Sequence, residues 1–284
     1  MKPAVLAEQL RPLLSHLRCP RCQRPFFITE HSLICTENHC FDLSRRGYVN
    51  LAPAHDQNAE KYDAALFESR SMVLEAGFYA PVADAISQLL EQNFPQRSFT
   101  LLDVGCGEGY YARRLARHFP KSRVLGLDIS RDAITAAARQ SHSVTWLVAD
   151  LKHLPVSDGC ADVVLDVLTP ADYAEFRRVL APKGLLLKVI PGDDYLQEIR
   201  KAVSPFLRSG GEYSDQRVLE HLSQHARILS RQEIRHTLPL TPELSHAFLR
   251  MTPMTFSVPQ EALQALSLSQ ITIHMQLLCC RMNG

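Results

Sequence analysis

The chain has 284 residues, 46% of them apolar and 21% charged, with a formal net charge of +1. That apolar share supports a packed core and excludes a disordered chain, and the length suits one large domain with a small one beside it. No apolar run reaches the roughly 18–20 residues of a membrane helix, and near-neutral charge excludes a uniformly basic nucleic-acid coat while leaving room for a local basic face.

Glu8, Arg11 and Pro12 interrupt the N-terminal apolar residues, so no signal peptide is expected. The expectation is a soluble, cytoplasmic protein. Over residues 1–17, Val5, Leu6, Leu10, Leu13, Leu14 and Leu17 recur at helical spacing and predict a short amphipathic helix. Residues 18–51 are rich in Cys, Arg and aromatic side chains and read as short strands and turns. Residues 52–62 are polar without periodicity, which predicts a linker. From 63 to 284, β-branched runs alternate with helical patterns. A helix is predicted over 63–93, with Val82, Ile86, Leu89 and Leu90 on one face. A strand follows at 100–105, a helix at 109–119, a strand at 123–129 and a helix at 131–140. Then come strands at 144–150 and 161–168, a helix at 171–180 and a strand at 184–190. Further strand-like runs fall at 254–258 and 271–280. Apolar strands flanked by helices predict a mostly parallel sheet covered on both faces. The expected domains are therefore 1–51, a linker at 52–62, and 63–284.

Four of the eight cysteines, Cys19, Cys22, Cys35 and Cys40, fall close together. In a chain without an export signal such a cluster points to metal rather than disulfides. Cys19-Pro-Arg-Cys22 is a two-thiolate knuckle, and a second ligand pair completes the tetrahedron that Zn2+ favours. Cys19, Cys22 and Cys35 supply three ligands; the fourth is His39 or Cys40. Four protein ligands leave no open position, so the role is structural. Arg18, Arg21, Arg24, Arg45 and Arg46 surround the cluster, either as a phosphate-binding rim or as an ordinary solvated face. Cys279 and Cys280 lie in an apolar run and read as buried thiols.

Asp103-Val104-Gly105-Cys106-Gly107-Glu108-Gly109 joins an apolar strand to a helix. Glycines let this backbone turn tightly and approach a ligand. The spacing lacks the dinucleotide G-x-G-x-x-G and the Walker lysine. It resembles the first motif of class I methyltransferases that use S-adenosylmethionine (SAM). Asp128 ends the second strand, where a carboxylate suits the ribose hydroxyls. Asp150 ends the third, beside Leu151; it suits an adenine amino group, with Leu151 and Ile129 flanking the ring. Acids at successive strand ends lie where ligands collect in open α/β sheets. NAD is the competing ligand, because Asp128 suits it too.

The zinc knuckle, Phe41-Asp42-(x)4-Gly47-Tyr48-Val49-Asn50-Leu51, Glu108-Gly109-Tyr110-Tyr111 and Met251-Thr252-Pro253 together resemble the 23S rRNA (guanine-N1)-methyltransferases over nearly the whole chain. These enzymes act on a hairpin-loop guanine. The resemblance implies a class I SAM-dependent methyltransferase fold, Rossmann-like with a mostly parallel seven-stranded sheet, behind a small N-terminal zinc-binding domain. It favours His39 as the fourth zinc ligand. It places SAM contacts on Tyr79, on Gly107 and Glu108, and on the segment after Pro191-Gly192, where Asp193 and Asp194 replace the family's proline and basic residues and Tyr195 its histidine. It also implies a 23S rRNA hairpin as partner and a homodimer. Asp166, in Asp166-Val167-Leu168-Thr169-Pro170 at the end of the fourth strand, is the carboxylate candidate for base or orienter at guanine N1. Arg113, Arg114 and Arg117 read as the solvated side of a helix, with a phosphate-contacting stripe as the competing role. Tyr110, Tyr111, Tyr173 and Phe78 are candidates to stack on the target base, with core packing the competing role. Two other functions compete: a methyltransferase for a small molecule, and a zinc-dependent RNA-binding factor with a vestigial SAM pocket.

Overall fold

The structure, a computed structural model, describes residues 2–52, 64–206 and 214–283. Helix α1 (Pro3–Leu10) starts with Pro at its first position and tightens into a 3-10 turn at Arg11–Leu13. Strands β1 (Phe26–Ile28), β2 (Ser32–Cys35) and β3 (Cys40–Asp42) follow, then β4 (Tyr48–Asn50). Beyond residue 63 come α2 (Ala64–Glu75), α3 (Ala80–Asn93), β5 (Thr100–Val104), α4 (Tyr110–His118), β6 (Arg123–Asp128), α5 (Arg131–Gln140), β7 (Thr145–Val148) and β8 (Ala161–Val167). Then follow α6 (Tyr173–Val179), β9 (Leu180–Pro191), α7 (Gln197–Val203), α8 (Gln216–His225), β10 (Ala226–Pro239), α9 (Pro242–Met251), α10 (Gln260–Gln264) and β11 (Gln270–Met282).

Strands β1, β2 and β3 form a small antiparallel sheet. Among the described residues the main sheet has the order β10-β11-β9-β8-β5-β6-β7-β4. From β4 to β9 every pairing is parallel; β11 lies antiparallel between β9 and β10. The seven strands from β5 onward match the expected mostly parallel sheet. The eighth, β4, comes from the expected zinc module and pairs Tyr48, Val49 and Asn50 with Trp146, Leu147 and Val148. The expected module 1–51 thus ends inside the main sheet, and most of the expected linker lies outside the described residues.

Both faces of the sheet are covered. One packs Ile86, Leu101, Leu115, Trp146, Leu165 and Phe248 together. The other joins Leu102, Leu125 and Phe176 to Leu6, Leu10 and Leu33, so α1 and the small sheet share a core with the strands. That continuity is what holds the metal region against the large domain.

Two predicted elements differ, and one strand has no predicted counterpart. The helix expected over 63–93 is two helices, broken where Gly77 adopts φ +88° and Pro81 sits in the first turn of α3. The strand expected at 254–258 is a 3-10 turn at Pro253–Thr255. Its Thr255 hydroxyl donates to the Leu249 and Thr252 carbonyls at 2.6 Å, which closes a turn instead of a ladder. Strand β10 had no prediction because most of its side chains are exposed and carry no regular alternation.

Candidate functional site

The metal cluster assembles from two turns. Gln23 and Asn38, both at φ +59°, reverse the chain just after Cys22 and just before His39. The ligand atoms of Cys19, Cys22, Cys35 and His39 all lie within 4.8 Å of one another. Cys22 Sγ is 3.6 Å from Cys35 Sγ; His39 Nδ1 is 3.5 Å from Cys19 Sγ and 3.4 Å from Cys35 Sγ. A zinc tetrahedron with the usual Zn–S and Zn–N bonds has edges of about 3.5–3.8 Å, so the donor set fits. Cys40 lies in β3, exposed and outside this group, which settles the fourth ligand as His39. Arg21, Arg24, Arg45 and Arg46 are exposed around the cluster, as is Phe27 at 47%. Arg24 approaches Glu37 at 3.9 Å.

At the carboxyl end of the main sheet the glycine loop turns from β5 into α4. Gly105, Gly107 and Gly109 all have positive φ. At Gly105 a Cβ would fall 2.2 Å from Thr169 Oγ1; at Gly109 it would fall 2.2 Å from the Trp146 ring. Glycine is therefore required by contact as well as by conformation. Asp128 holds the loop: its Oδ2 accepts the Gly107 N–H and its Oδ1 the Ser130 N–H, both at 2.8 Å. Burial pushes its pKa up while those donors oppose the shift. Asp150 caps the turn at Leu151–His153, accepting the Lys152 N–H at 2.9 Å. Ile129, next to Asp128, is exposed and Leu151, next to Asp150, is half-buried, so both remain available to frame a ring.

Asp103 is turned away from the loop opening. It is 2% exposed and accepts the Ala112 N–H at 3.1 Å, which anchors the first turn of α4. Burial, with Asp128 and Asp166 nearby, raises its pKa to about 8. Glu108 is equally buried. Arg70 Nε stands 3.3 Å from its Oε1 as an ion pair, yet neither carboxylate oxygen has a partner in hydrogen-bond geometry. Burial pushes Glu108 upward against the pull of Arg70. Tyr79 and Tyr195, far apart in sequence, meet through their hydroxyls at 2.8 Å.

Asp166 lies deep in the sheet. It is 0% exposed, and Lys188 Nζ binds its Oδ2 at 2.5 Å. The Thr169 backbone N–H is turned toward the carboxylate as well, although Oδ1 meets no donor at hydrogen-bond distance. This pair ties β8 to β9 and sets the turn that lays Thr169 over Gly105. Leu168 in that turn has φ +56° and is exposed at the sheet end. Tyr110, Tyr111, Tyr173 and Phe78 are buried, which is their packing role. Arg113 pairs with Glu75 and Arg114 with Asp84, so these two arginines fasten α4 to its helical neighbours.

Two residues escaped the sequence reading. Arg70 carries no motif, and its place over Gly107 depends on how α2 packs. Lys188 did leave a signal: a cation inside an apolar strand needs a buried anion, and Asp166 stands at the same register on the neighbouring strand.

A seven-strand order with one antiparallel strand, a glycine loop after its first strand and acids at the next strand ends define a class I SAM-dependent methyltransferase, here carrying a Cys3His zinc ribbon. Residues 101–184 match a "Methyltransferase domain" model and residues 17–60 an "RlmA, N-terminal" model. The chain is 36% identical to "Putative 23S rRNA (guanine-N(1)-)-methyltransferase YxjB" of Bacillus subtilis, over 93% of this chain and 96% of that one. It is 29% identical to the 23S rRNA (guanine(748)-N(1))-methyltransferase of Streptomyces fradiae, over 95% and 98%. A malonyl-[acyl-carrier protein] O-methyltransferase of Hahella chejuensis, 33% identical, aligns with only 53% of this chain and 57% of its own. The chain belongs to the 23S rRNA (guanine-N1)-methyltransferase family. No helix among the described residues is long and apolar enough to cross a membrane.

Proposed function

We propose that this protein transfers a methyl group from SAM to N1 of a guanine in a hairpin loop of 23S rRNA, in the cytoplasm and as a homodimer. One observation carries the reading. A single chain joins the Cys3His ribbon, with exposed Arg21, Arg45, Arg46 and Phe27, to the glycine-loop sheet over the full length it shares with rRNA methyltransferases. Arginines suit a phosphate backbone, and an exposed aromatic ring suits a splayed base. A small substrate would give the ribbon no purpose.

Bound SAM supplies a methyl group on a cationic sulfur. The chain's task is to hold donor and acceptor in line. Asp128 keeps lone pairs beyond its two loop contacts, enough to accept ribose hydroxyls. Asp150, Ile129 and Leu151 frame the adenine. Glu108 and Arg70 present an anion and a cation to the ammonium and carboxylate of the amino-acid end. The Tyr79–Tyr195 pair stands at the same end, both hydroxyls within electrostatic reach of Arg70. Gly105, Gly107 and Gly109 let the loop come close. Asp103 acts one step behind by holding α4. Asp166, held by Lys188, fixes the Leu168–Thr169 turn, and the proton that guanine N1 loses passes to solvent.

The test is mass-spectrometric mapping of methylated guanines in 23S rRNA from cells with and without the gene. The expected result is one N1-methylguanine lost on deletion, restored by the wild type but not by Gly105→Ala. Identical maps overturn the reading. Sedimentation of the purified protein tests the dimer.

A further inference from the structure

Met251-Thr252-Pro253 lies outside the cofactor loop and the zinc ribbon. Strands β9 and β10 both run antiparallel to β11, and β9 runs parallel to β8. The segment between β10 and β11 therefore leaves the sheet at the end where Gly105, Asp128 and Leu168 lie. It forms α9, the 3-10 turn and α10, and α9 packs along α2.

A cavity of about 800 Å³ opens between these elements. Small-molecule sites span roughly 300–1,000 Å³, so it has room for a nucleoside. Its α2 wall is Leu66, four residues before Arg70 and so on the same helical face. Arg70 in turn reaches Glu108 and lies close to Gly107. One helical turn, about 5.4 Å, separates the cavity wall from the residue that faces the cofactor loop.

The lining is ordered. His246 and Arg250 stand four apart on α9, and Gln260 and Gln264 four apart on α10, so each helix turns a pair of hydrogen-bonding groups to the same space. Phe256 lies between the two helices in the chain and is 45% exposed. The turn that carries it is pinned from beneath. The Thr252 hydroxyl donates to the Phe248 carbonyl, and the Thr255 hydroxyl to Leu249 and Thr252, all at 2.6 Å and all buried. Ser245 Oγ accepts the Leu268 N–H at 2.9 Å and ties the far end of the segment to α9. The Met251-Thr252-Pro253 motif is thus the hinge pin of a rigid rim.

A guanine presents O6 and N7 as acceptors and N1 and N2 as donors. Glutamine amides both donate and accept, arginine donates in a fork, and an aromatic ring stacks on the base plane. We propose that this cavity receives the flipped target guanine, with Phe256 stacking on it and Gln260 and Gln264 reading its hydrogen-bonding edge. The proposal rests on the rRNA reading and adds where the acceptor base sits.

The experiment uses full-length zinc-loaded protein and unmodified 23S rRNA transcript. Methylation kinetics are compared for wild type, Phe256→Leu, Phe256→Trp and Gln264→Ala, with SAM affinity measured by calorimetry and folding by thermal melting. Phe256→Leu should lower kcat/KM for RNA by roughly 5- to 100-fold, the range of a lost base–aromatic stack. Phe256→Trp should restore it, which a packing role would not require. Gln264→Ala should lower kcat/KM for RNA as well, and SAM affinity should stay as in the wild type throughout. Active wild type with unchanged kcat/KM in folded Phe256→Leu and Gln264→Ala overturns the cavity assignment alone. Wild type that methylates no guanine of the transcript overturns the rRNA reading and the assignment with it.

Discussion

Lys188→Met keeps the apolar bulk of the side chain and removes the cation that faces Asp166. The carboxylate would then stand at 0% exposure without its counter-ion. Burial already pushes its pKa up, so the folded variant must carry a proton there. Holding that proton at pH 7, about three units above the ordinary carboxylate value near 3.9, costs up to about 4 kcal/mol at roughly 1.4 kcal/mol per unit. Breaking a buried pair costs a similar ~3–5 kcal/mol. With a urea m-value of about 3 kcal/mol/M, the unfolding midpoint should fall by roughly 1.3 M. The pH dependence has a definite sign. The folded variant binds the proton more tightly than the unfolded chain, so the deficit is absent below pH ~4 and grows as pH rises; at pH 5 it should be about 1.5 kcal/mol. The assay is urea unfolding of wild type and Lys188→Met at pH 5 and pH 7 with zinc present. Asp166→Asn with Lys188→Met removes both charges and should recover most of the loss. A deficit under about 1 kcal/mol at pH 7, or the same deficit at both pH values, refutes the buried-pair argument.

His39→Ala should lose bound zinc by elemental analysis and lower the melting temperature, whereas Cys40→Ser should keep full zinc, because Cys40 lies outside the ligand group; zinc loss in Cys40→Ser would reverse the ligand assignment. Gly105→Ala places a Cβ against Thr169 at positive φ, a strain of about 1–2 kcal/mol before the contact is counted. Calorimetry should show SAM binding sharply weakened, and unchanged affinity would mean the loop is not the cofactor cradle. Asp103, with its pKa raised to about 8, contributes stability that is full below the unfolded value near 4 and is lost as pH rises through 8. Asp103→Asn should therefore flatten the decline in melting temperature between pH 6 and pH 8; a parallel decline in both proteins would show that other groups cause it.

The parallel sheet was legible because its strands are buried on both faces and read as continuous apolar runs between helical patterns. The zinc ligands were legible for a different reason: Cys19, Cys22, Cys35 and His39 are close in sequence, so spacing alone nearly determines the tetrahedron. What stayed hidden depended on packing between distant segments. The Tyr79–Tyr195 contact spans 116 positions, and from the residues alone neither tyrosine has reason to be more than core. Asp166 looked like a base because it ends a strand beside the loop; only the register with Lys188 gives it a partner. Strand β10 was missed because an edge strand with exposed polar side chains has no hydrophobic period to detect.

The placement of β4 decides how the two halves of this chain relate. Three residues that follow the ribbon pair with Trp146, Leu147 and Val148, and the Leu51 N–H continues the ladder to the Val148 carbonyl at 2.9 Å. Trp146 is the ring that fills the space beneath Gly109 and Gly126. Asp150, two residues beyond Val148, caps the turn that follows the strand. The zinc ligands and the cofactor loop are therefore linked through one short strand and one indole, with the apolar contacts of Leu6, Leu10 and Leu33 holding the ribbon to the same sheet face. A fold too small to stand without its metal is in this way built into the edge of the catalytic sheet. Metal loss should reach Trp146 before it reaches β5, because β4 is the edge strand and the sheet loses order from its edge inward. Hydrogen exchange on chelated protein reads this directly: the amides of β7 should lose protection ahead of those of β5 and β8, and simultaneous loss across the sheet would mean that ribbon and sheet unfold as one unit.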